Sequence, residues 1–487
     1  MRRRLVTVIV VLLAIAVSLV WFFRAGNSSP GGYVLTGPPP NVVIIVMDTA
    51  RQDRLSCYGY ERDTSPRIQE LAGESTLFGQ AYSTSSWTIP SHASLFTGLY
   101  PVSHSATQEN WSMNRGLVTL AEILSERGYE TVGIVENSML ATEHGFQQGF
   151  SAYHLTDRVQ RLLDRPAFGQ RSETGNRAVD LFIGTVRDRQ DERPFFVFVN
   201  LIAPHHPYDS SKQFMDEFVT NPEMTIVSNM WPEYYLGEKV FSPEELTHLN
   251  DLYDAELLYT DHLVGLMADE LKSAGYWGDT FFILTSDHGE NIGDHSHMDH
   301  LFSLYETTVK IPLLIHYPPE FGGGAVDDRP VTLVDVLPTV LDATGIDRDD
   351  YPCQGLSLLS DEIPEDRAII TEYYWPVQAF KRYDDEQRES ASLDLYRRRL
   401  RGITVNGRKL VWGGDGRHEL FDLRSDPDEL ANLLAGGAAG DLGELEKRLS
   451  EAVGRFEDQV KVTPVRVRDD ELNEETKEAL RSLGYMQ

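Results

Sequence analysis

The stretch Tyr82-Ser83-Thr84-Ser85-Ser86-Trp87-Thr88-Ile89-Pro90-Ser91-His92-Ala93-Ser94-Leu95-Phe96-Thr97-Gly98-Leu99-Tyr100-Pro101 carries the reading of the fold. Small hydroxyl residues lead up to Thr88, Pro90 suits the first turn of a helix, Ser91 to Phe96 continue that turn, and Gly98 stops it. Such a chain presents Thr88 at a helix N-terminus. Unpaired main-chain N–H groups and the positive end of the helix dipole gather there, so an oxyanion carrying two or three charges would be stabilised beside Thr88. Read alone, the same residues also fit an ordinary capping turn, and the choice rests on what surrounds them.

Upstream, Val42 to Met47 is a continuous apolar run ending on Asp48, as expected of a strand buried on both faces of a parallel sheet. Downstream, Leu117 to Arg127 has helical spacing and stops at Gly128, after which Thr131 to Val135 reads as a strand. Phe195 to Ile202 is a third buried strand and runs into Ala203-Pro204-His205-His206-Pro207-Tyr208. Leu252 to Leu271 is an amphipathic helix with Asp254, Glu256 and Asp261 on its solvated face. Phe281 to Ser286 is a fourth strand ending in Asp287-His288-Gly289-Glu290, followed by Asp294, His295, His297, Asp299 and His300. Val309 to His316, interrupted by Pro312, reads as an edge or bulged strand. This alternation predicts an α/β fold with a mixed, mostly parallel sheet flanked by helices. Ligands of such sheets collect at the carboxyl ends of strands, where Asp48, His205, Asp287 and His288 fall.

The formal net charge of −31 argues against nucleic acid as a partner, because phosphate backbones are bound through clustered Lys and Arg. An anionic substrate must be held by metal or by a few local cations. Two cysteines, Cys57 and Cys353, exclude a disulfide scaffold and a cysteine zinc cluster. The 487 residues exceed one typical core and divide into an N-terminal transmembrane anchor (1–24), a Ser/Gly/Pro-rich linker (25–40), a catalytic domain (41–355) and a small antiparallel C-terminal subdomain with a helical tail (356–487). In the anchor, Arg2, Arg3 and Arg4 precede an apolar run from Leu5 to Phe23 that is long enough to span a bilayer and longer than the usual apolar region of a cleaved signal. Positive charge before the span places residues 25 onward outside the cytoplasm, in the periplasm or at the cell surface. In the C-terminal part, Gly402 to Trp412 reads as a strand, and Leu442 to Phe456 and Glu471 to Leu483 as helices.

Taken in order, these motifs resemble the sulfatase family of the alkaline phosphatase superfamily. Asn41 to Asp48 resembles its first metal-binding strand, Thr88-Ile89-Pro90-Ser91-His92 to Tyr100-Pro101 its nucleophile signature, and Pro204-His205 with Pro207-Tyr208 the loop that meets the substrate oxyanion. Thr285 to Glu290 resembles the second metal-binding strand, Leu304-Tyr305-Glu306 to Leu313 the next block, Glu419 to Leu423 with Asp426-Pro427 the C-terminal block, and Leu483-Gly484-Tyr485 a common ending. The resemblance spans Asn41 to the end.

The departures narrow what it implies. Sulfatases carry Cys or Ser at the nucleophile, followed by x-Pro-x-Arg, for conversion to formylglycine; here Thr88 and His92 stand at those positions, so no formylglycine is expected. Thr49 follows Asp48 where calcium-binding sulfatases have a second Asp, and His288 replaces their Asn. A metal set of Asp48, Thr88, Asp287 and His288 favours one Zn²⁺ or Mn²⁺, with Ca²⁺ or Mg²⁺ as alternatives. The set resembles the Thr-nucleophile phosphodiesterases and phosphotransferases of the superfamily, which implies a covalent Thr88 intermediate formed with the metal's help. His205 would bind the oxyanion or protonate the leaving group, and His300 would do the other task; His300 lies one residue from the family's usual Lys, and His297 is the alternative. His92 takes either a site role or a capping role. The implied substrate is a small-molecule or lipid-linked anionic phosphate (mono- or diester), phosphonate or sulfate ester, cleaved or transferred, with phosphoesters preferred. A sulfatase proper acting through unmodified Thr88, and a catalytically silent envelope binding protein, are the competing readings.

Overall fold

The strand at the centre of the molecule, Asn41–Met47, has no exposed residue from Val42 to Met47, which is why its sequence needs no polar alternation. The computed structural model describes residues 35, 37–156, 174–189, 192–226, 231–375, 377–437, 440–465 and 472–482. The run Leu5 to Phe23 read as an anchor, most of the linker and Leu483-Gly484-Tyr485 lie outside the described residues; within them no helix is long and apolar enough to cross a membrane.

Eight strands form the main sheet: β1 (Asn41–Met47), β2 (Thr76–Phe78), β3 (Glu130–Val135), β4 (Ala152–Leu155), β5 (Phe195–Leu201), β6 (Thr280–Thr285), β7 (Leu313–His316) and β8 (Ala325–Asp327). Their spatial order is β8-β2-β7-β6-β1-β5-β3-β4. All neighbouring pairs are parallel except those of β7, which is antiparallel to both β2 and β6. The expectation that Pro312 marks an edge is therefore corrected: β7 lies inside the sheet. Pro312 immediately precedes its first paired residue, so the missing N–H removes no ladder bond.

Side chains alternate across β1 and seed two layers. Val42, Ile44 and Val46 pack with Ile89, Leu95 and Phe96 of α1 (Thr88–Thr97) and with Leu120 and Leu124 of α2 (Leu120–Glu126). Val43, Ile45 and Met47 pack on the other face with Phe182 of α3 (Arg177–Arg187) and Leu257 and Leu263 of α4 (Pro243–Ser273). The result is a helix–sheet–helix sandwich with every strand-end loop of β1, β3, β5 and β6 on one rim.

Helix α4 begins earlier than its periodicity suggests, at a capping box in which Ser242 accepts from the Glu245 N–H and Glu245 accepts from the Ser242 N–H. Asp254, Glu256 and Asp261 do not form a solvated face. Asp254 is buried against Arg62 (2.6 Å) and Arg54 (3.4 Å), Asp261 accepts the N–H groups of Arg67 and Ile68, and Glu256 accepts that of Asp209. Carboxylates spaced along a helix look the same in sequence whether they meet water or the backbone of a loop; here they tie two loops to the rim.

A four-stranded antiparallel sheet carries the C-terminal part: β9 (Ile369–Tyr373), β10 (Leu400–Val405), β11 (Arg408–Gly413) and β12 (Glu419–Asp422), in that order. Gly402 to Trp412 is thus not one strand. It turns at Asn406-Gly407, both with positive φ (51° and 72°), the pair that two-residue hairpins favour. The last long helix, α5 (Leu442–Gln459), covers this sheet through Leu445, Leu449 and Phe456, and Tyr100 stacks on Phe456 with ring centroids 4.3 Å apart. The Glu372 N–H donates to the Thr84 carbonyl (2.8 Å), joining β9 to the hydroxyl-rich loop before α1.

Candidate active site

The Ser83 to Ser86 segment is buried, and its hydroxyls hold its own backbone. Ser83 donates to the Ser85 carbonyl (2.7 Å), Thr84 to Ser94 Oγ (2.8 Å) and Ser86 to the Ser303 carbonyl (2.9 Å). A run of small hydroxyl residues thus replaces the hydrogen bonds that a buried loop would otherwise lack. It delivers Thr88 to the first position of α1, which ends at Gly98 in the left-handed conformation (φ 66°).

Asp48 and Asp287 leave adjacent strand ends, and Thr88 comes in from above. Asp48 Oδ2 accepts from Asn137 and Asn200, while Oδ1 is buried without a partner. Asp287 Oδ1 accepts from the Thr49 and His288 N–H groups, while Oδ2 has no hydrogen-bond partner. His288 donates from Nδ1 to the Gly289 carbonyl (2.9 Å), so Nε2 carries a lone pair. That lone pair stands 3.3 Å from Asp287 Oδ2 and 3.4 Å from Thr88 Oγ1. Two bare carboxylate oxygens and an imidazole lone pair facing one another in a buried space fit a cation, and Asp48, Asp287 and His288 can hold one ion together. Burial, reinforced by the neighbouring Asp287 charge, pushes the Asp48 carboxyl well up; burial likewise holds His288 far below its usual range. Gly289 is required: a Cβ there would lie 2.1 Å from the Thr307 carbonyl oxygen.

A second buried group adjoins the first. The ring centroids of His300 and His288 are 4.4 Å apart, and those of His300 and His205 are 5.2 Å apart. His300 Nδ1 lies 2.7 Å from Asp299 Oδ1 and 3.3 Å from Glu290 Oε1. Burial lowers the His300 pKa, but the two carboxylates more than offset it and hold the imidazole up to about 10. His205 meets the opposite fate, kept far below its usual value by burial and by the charges of His206 and His300. His206 Nε2 and Arg382 Nη1 approach Asp299 Oδ2 at 3.6 and 3.8 Å. The His205 loop is fixed from below by Glu136, which accepts the Ile202 N–H (2.9 Å) and Asn176 Nδ2 (2.9 Å).

The structure therefore brings Asp48, Thr88, Asp287, His288, His205 and His300 together. His92 lies behind them, donating from Nδ1 to the Thr88 carbonyl (2.9 Å) and 3.6 Å from Asp287 Oδ2, with its ring against Phe146 and Phe198. His297 stands apart, among the rings of Tyr235, Tyr305 and Tyr396, with Nδ1 donating to the His295 carbonyl. Cys57 and Cys353 are both free.

Sequence reasoning missed Asn137, Asn200, Glu290 and Arg382. Asn200 had a signal, being the one polar residue of the otherwise apolar β5; Asn137 had a weaker one, two residues beyond β3. Thr49 (φ 62°) and Asp299 (φ 64°) are held in the left-handed region, costing a β-branched residue such as Thr49 on the order of 1–2 kcal/mol. Such strain gathers where the surroundings over-determine a site.

The sulfatase family pattern matches residues 40–346, and that of the N-sulphoglucosamine sulphohydrolase C-terminal region matches 293–455. The chain is 26% identical over 459 residues to arylsulfatase K of Xenopus laevis, covering 84% of this chain and 82% of that protein. It is 25% identical over 450 residues to an arylsulfatase of Clostridium perfringens, covering 80% and 89%. Among solved structures, a phosphonate monoester hydrolase of Agrobacterium radiobacter superposes with a TM-score of 0.68 at 21% identity, covering 86% of this chain and 96% of that one, which bears on the fold alone. With the family pattern spanning more than half of its length, over the strand ends of Asp48 and Asp287 and the helix that begins at Thr88, this chain belongs to the sulfatase family.

Proposed function

We propose that the chain is a metal-dependent ester hydrolase or phosphotransferase that works through a covalent Thr88 intermediate on phosphate or phosphonate esters. It would act from an N-terminal membrane anchor, with residues 25 onward outside the cytoplasm. The observation that supports it best is a threonine, not a cysteine, at the N-terminus of α1, facing the His288 lone pair in a ring of buried, unpaired ligand atoms.

A divalent ion held by Asp48, Asp287, His288 and Thr88 would lower the pKa of the threonine hydroxyl and withdraw charge from the ester oxygens. Thr88 gives up its hydroxyl proton to water and attacks phosphorus in line through Oγ, the bond to the leaving oxygen breaks, and the N-terminus of α1 stabilises the equatorial oxygens. The two inner histidines divide the remaining work. His300 carries a proton at neutral pH and gives it, or a hydrogen bond, to the leaving oxygen; neutral His205, whose Nδ1 donates to the His206 carbonyl, keeps its Nε2 as an acceptor and can take the proton of the attacking water or alcohol. Water or an acceptor alcohol then attacks the Thr88 ester and frees the hydroxyl. His92 positions the Thr88 backbone, and His297 takes no part.

The relatives named arylsulfatases favour a second reading, sulfate ester hydrolysis by the same unmodified threonine. Turnover of an aryl phosphate diester, an aryl phosphonate and an aryl sulfate by the full chain in detergent, with and without added Zn²⁺ or Mn²⁺, separates the two. Faster phosphoester cleavage is expected. Faster sulfate cleavage would establish the second reading, and no turnover on any ester with no ion bound would leave a silent binding protein.

A further inference from the structure

The two metal-facing carboxylates are each immobilised at one oxygen and bare at the other. Asp48 Oδ2 accepts from Asn137 Nδ2 at 2.7 Å and from Asn200 Nδ2 at 3.1 Å. Asp287 Oδ1 accepts from the Thr49 and His288 N–H groups at 3.1 and 2.9 Å. The amide orientations are determined by what else they bind. Asn137 Oδ1 accepts the Met139 N–H (2.9 Å) and Asn200 Oδ1 accepts the Asn137 N–H (3.0 Å), so both NH₂ groups must point at Asp48. Asn200 is further held by its place on β5, in register with Val46 of β1 and Val135 of β3.

A carboxylate oxygen that already accepts two N–H bonds has its in-plane lone pairs occupied, so neither Asp can chelate through both oxygens. Asp48 Oδ1, Asp287 Oδ2 and His288 Nε2 are then left to hold an ion together, with Thr88 Oγ1, 3.4 Å from His288 Nε2, as the fourth donor. Four donors with one nitrogen suit a small tetrahedral ion, whereas Ca²⁺ takes about 6–8 oxygens and often uses bidentate carboxylates.

We propose that Asn137 and Asn200 are positioning residues that make Asp48 a one-oxygen ligand, and that they thereby select a four-coordinate ion of the zinc type over calcium. This rests on the reading of Asp48, Asp287, His288 and Thr88 as a metal site. A purely structural role, satisfying a buried carboxylate, would leave ion preference unchanged.

The full chain in detergent is freed of metal by chelation and titrated with Co²⁺, Zn²⁺ and Ca²⁺ separately, without substrate. Wild type is expected to give the intense visible absorption of four-coordinate cobalt and to prefer Zn²⁺ strongly over Ca²⁺. Asn200→Ala, and Asn137→Asp, which keeps the size and the acceptor for Met139 but removes the donor, should weaken the cobalt band toward that of higher coordination. Each should also reduce the Zn²⁺ to Ca²⁺ preference about 10–100-fold. Circular dichroism of the metal-free variants checks folding; if Asn200→Ala does not fold, Asn137→Asp decides. Unchanged cobalt spectra and preference in folded variants would overturn the inference while leaving the metal site standing. A wild type that binds none of the three ions would overturn both.

Discussion

Thr88 Oγ1 stands 3.4 Å from Nε2 of His288, whose other ring nitrogen is committed to the Gly289 carbonyl. The lone pair of a fixed imidazole thus faces the one hydroxyl at the start of α1. Thr88→Ala should lower kcat by about 10³-fold or more while the protein keeps its ion, because three of the four ligands remain. Thr88→Ser should retain measurable turnover. Steady-state kinetics with metal analysis of each variant checks this; an active Thr88→Ala enzyme would remove Thr88 from the mechanism.

His300 gives the pH dependence its basic side. Its folded pKa, about 10, lies above the ordinary histidine value of about 6.5, so its ion pair with Asp299 and Glu290 stabilises the fold fully below about pH 6.5 and is lost as the pH rises through about 10. If His300 acts as a proton or hydrogen-bond donor, kcat/KM should hold to that upper limit. Asp299→Asn, which removes the nearer carboxylate, should bring the basic limb down by a unit or more. A limb unmoved by Asp299→Asn would mean that another group titrates there.

Much of this candidate site was legible because Asp48, Asp287 and His288 follow buried strands, and a strand buried on both faces ends visibly where its apolar run stops. Asp48 and Asp287 were found that way. The second layer was not, for a physical reason: Asn137 and Asn200 bind a carboxylate that lies 89 and 152 residues away, and no local pattern encodes such a contact. Asp254 and Asp261 failed for a related reason, since a helical carboxylate reads as solvated until the loop that covers it is known. The Asn406-Gly407 turn was a local signal and could have been read as the centre of a hairpin.

Metal removal should reverse the pH dependence of stability. In the apo protein, burial raises the folded pKa of both Asp48 and Asp287 above the ordinary aspartate value of about 3.9, so stability falls as the pH rises from that value through the folded ones. In the loaded protein the ligands must be deprotonated, so acid releases the ion and stability falls toward low pH instead. Thermal melts across pH with and without a chelator check this. Parallel curves would indicate that no ion binds between these carboxylates.

Lys409 links the C-terminal sheet, by way of Glu306, to the start of the loop that carries Thr88. Its Nζ is buried on β11 between Glu306 (2.9 Å) and Glu429 (2.8 Å), and Tyr82, where that loop begins, donates to Glu306 Oε2 (3.2 Å). Burial and the Glu306 charge, against the opposing Lys409 charge, leave Glu429 raised to about 7. Its contribution is therefore present below about pH 4.3, the ordinary glutamate value, and is lost as the pH rises through about 7. Lys409→Met removes the cation held between two facing carboxylates and should cost about 3–5 kcal/mol near neutral pH. The loss should shrink on acidification, as Glu429 takes up a proton. Lys409→Met with Glu429→Gln should be more stable than Lys409→Met alone, since the double variant leaves one carboxylate rather than two in the same space. Urea unfolding of the three proteins at two pH values reads both effects, and a double variant no more stable than the single would show that the lysine acts through packing of its stem rather than through charge.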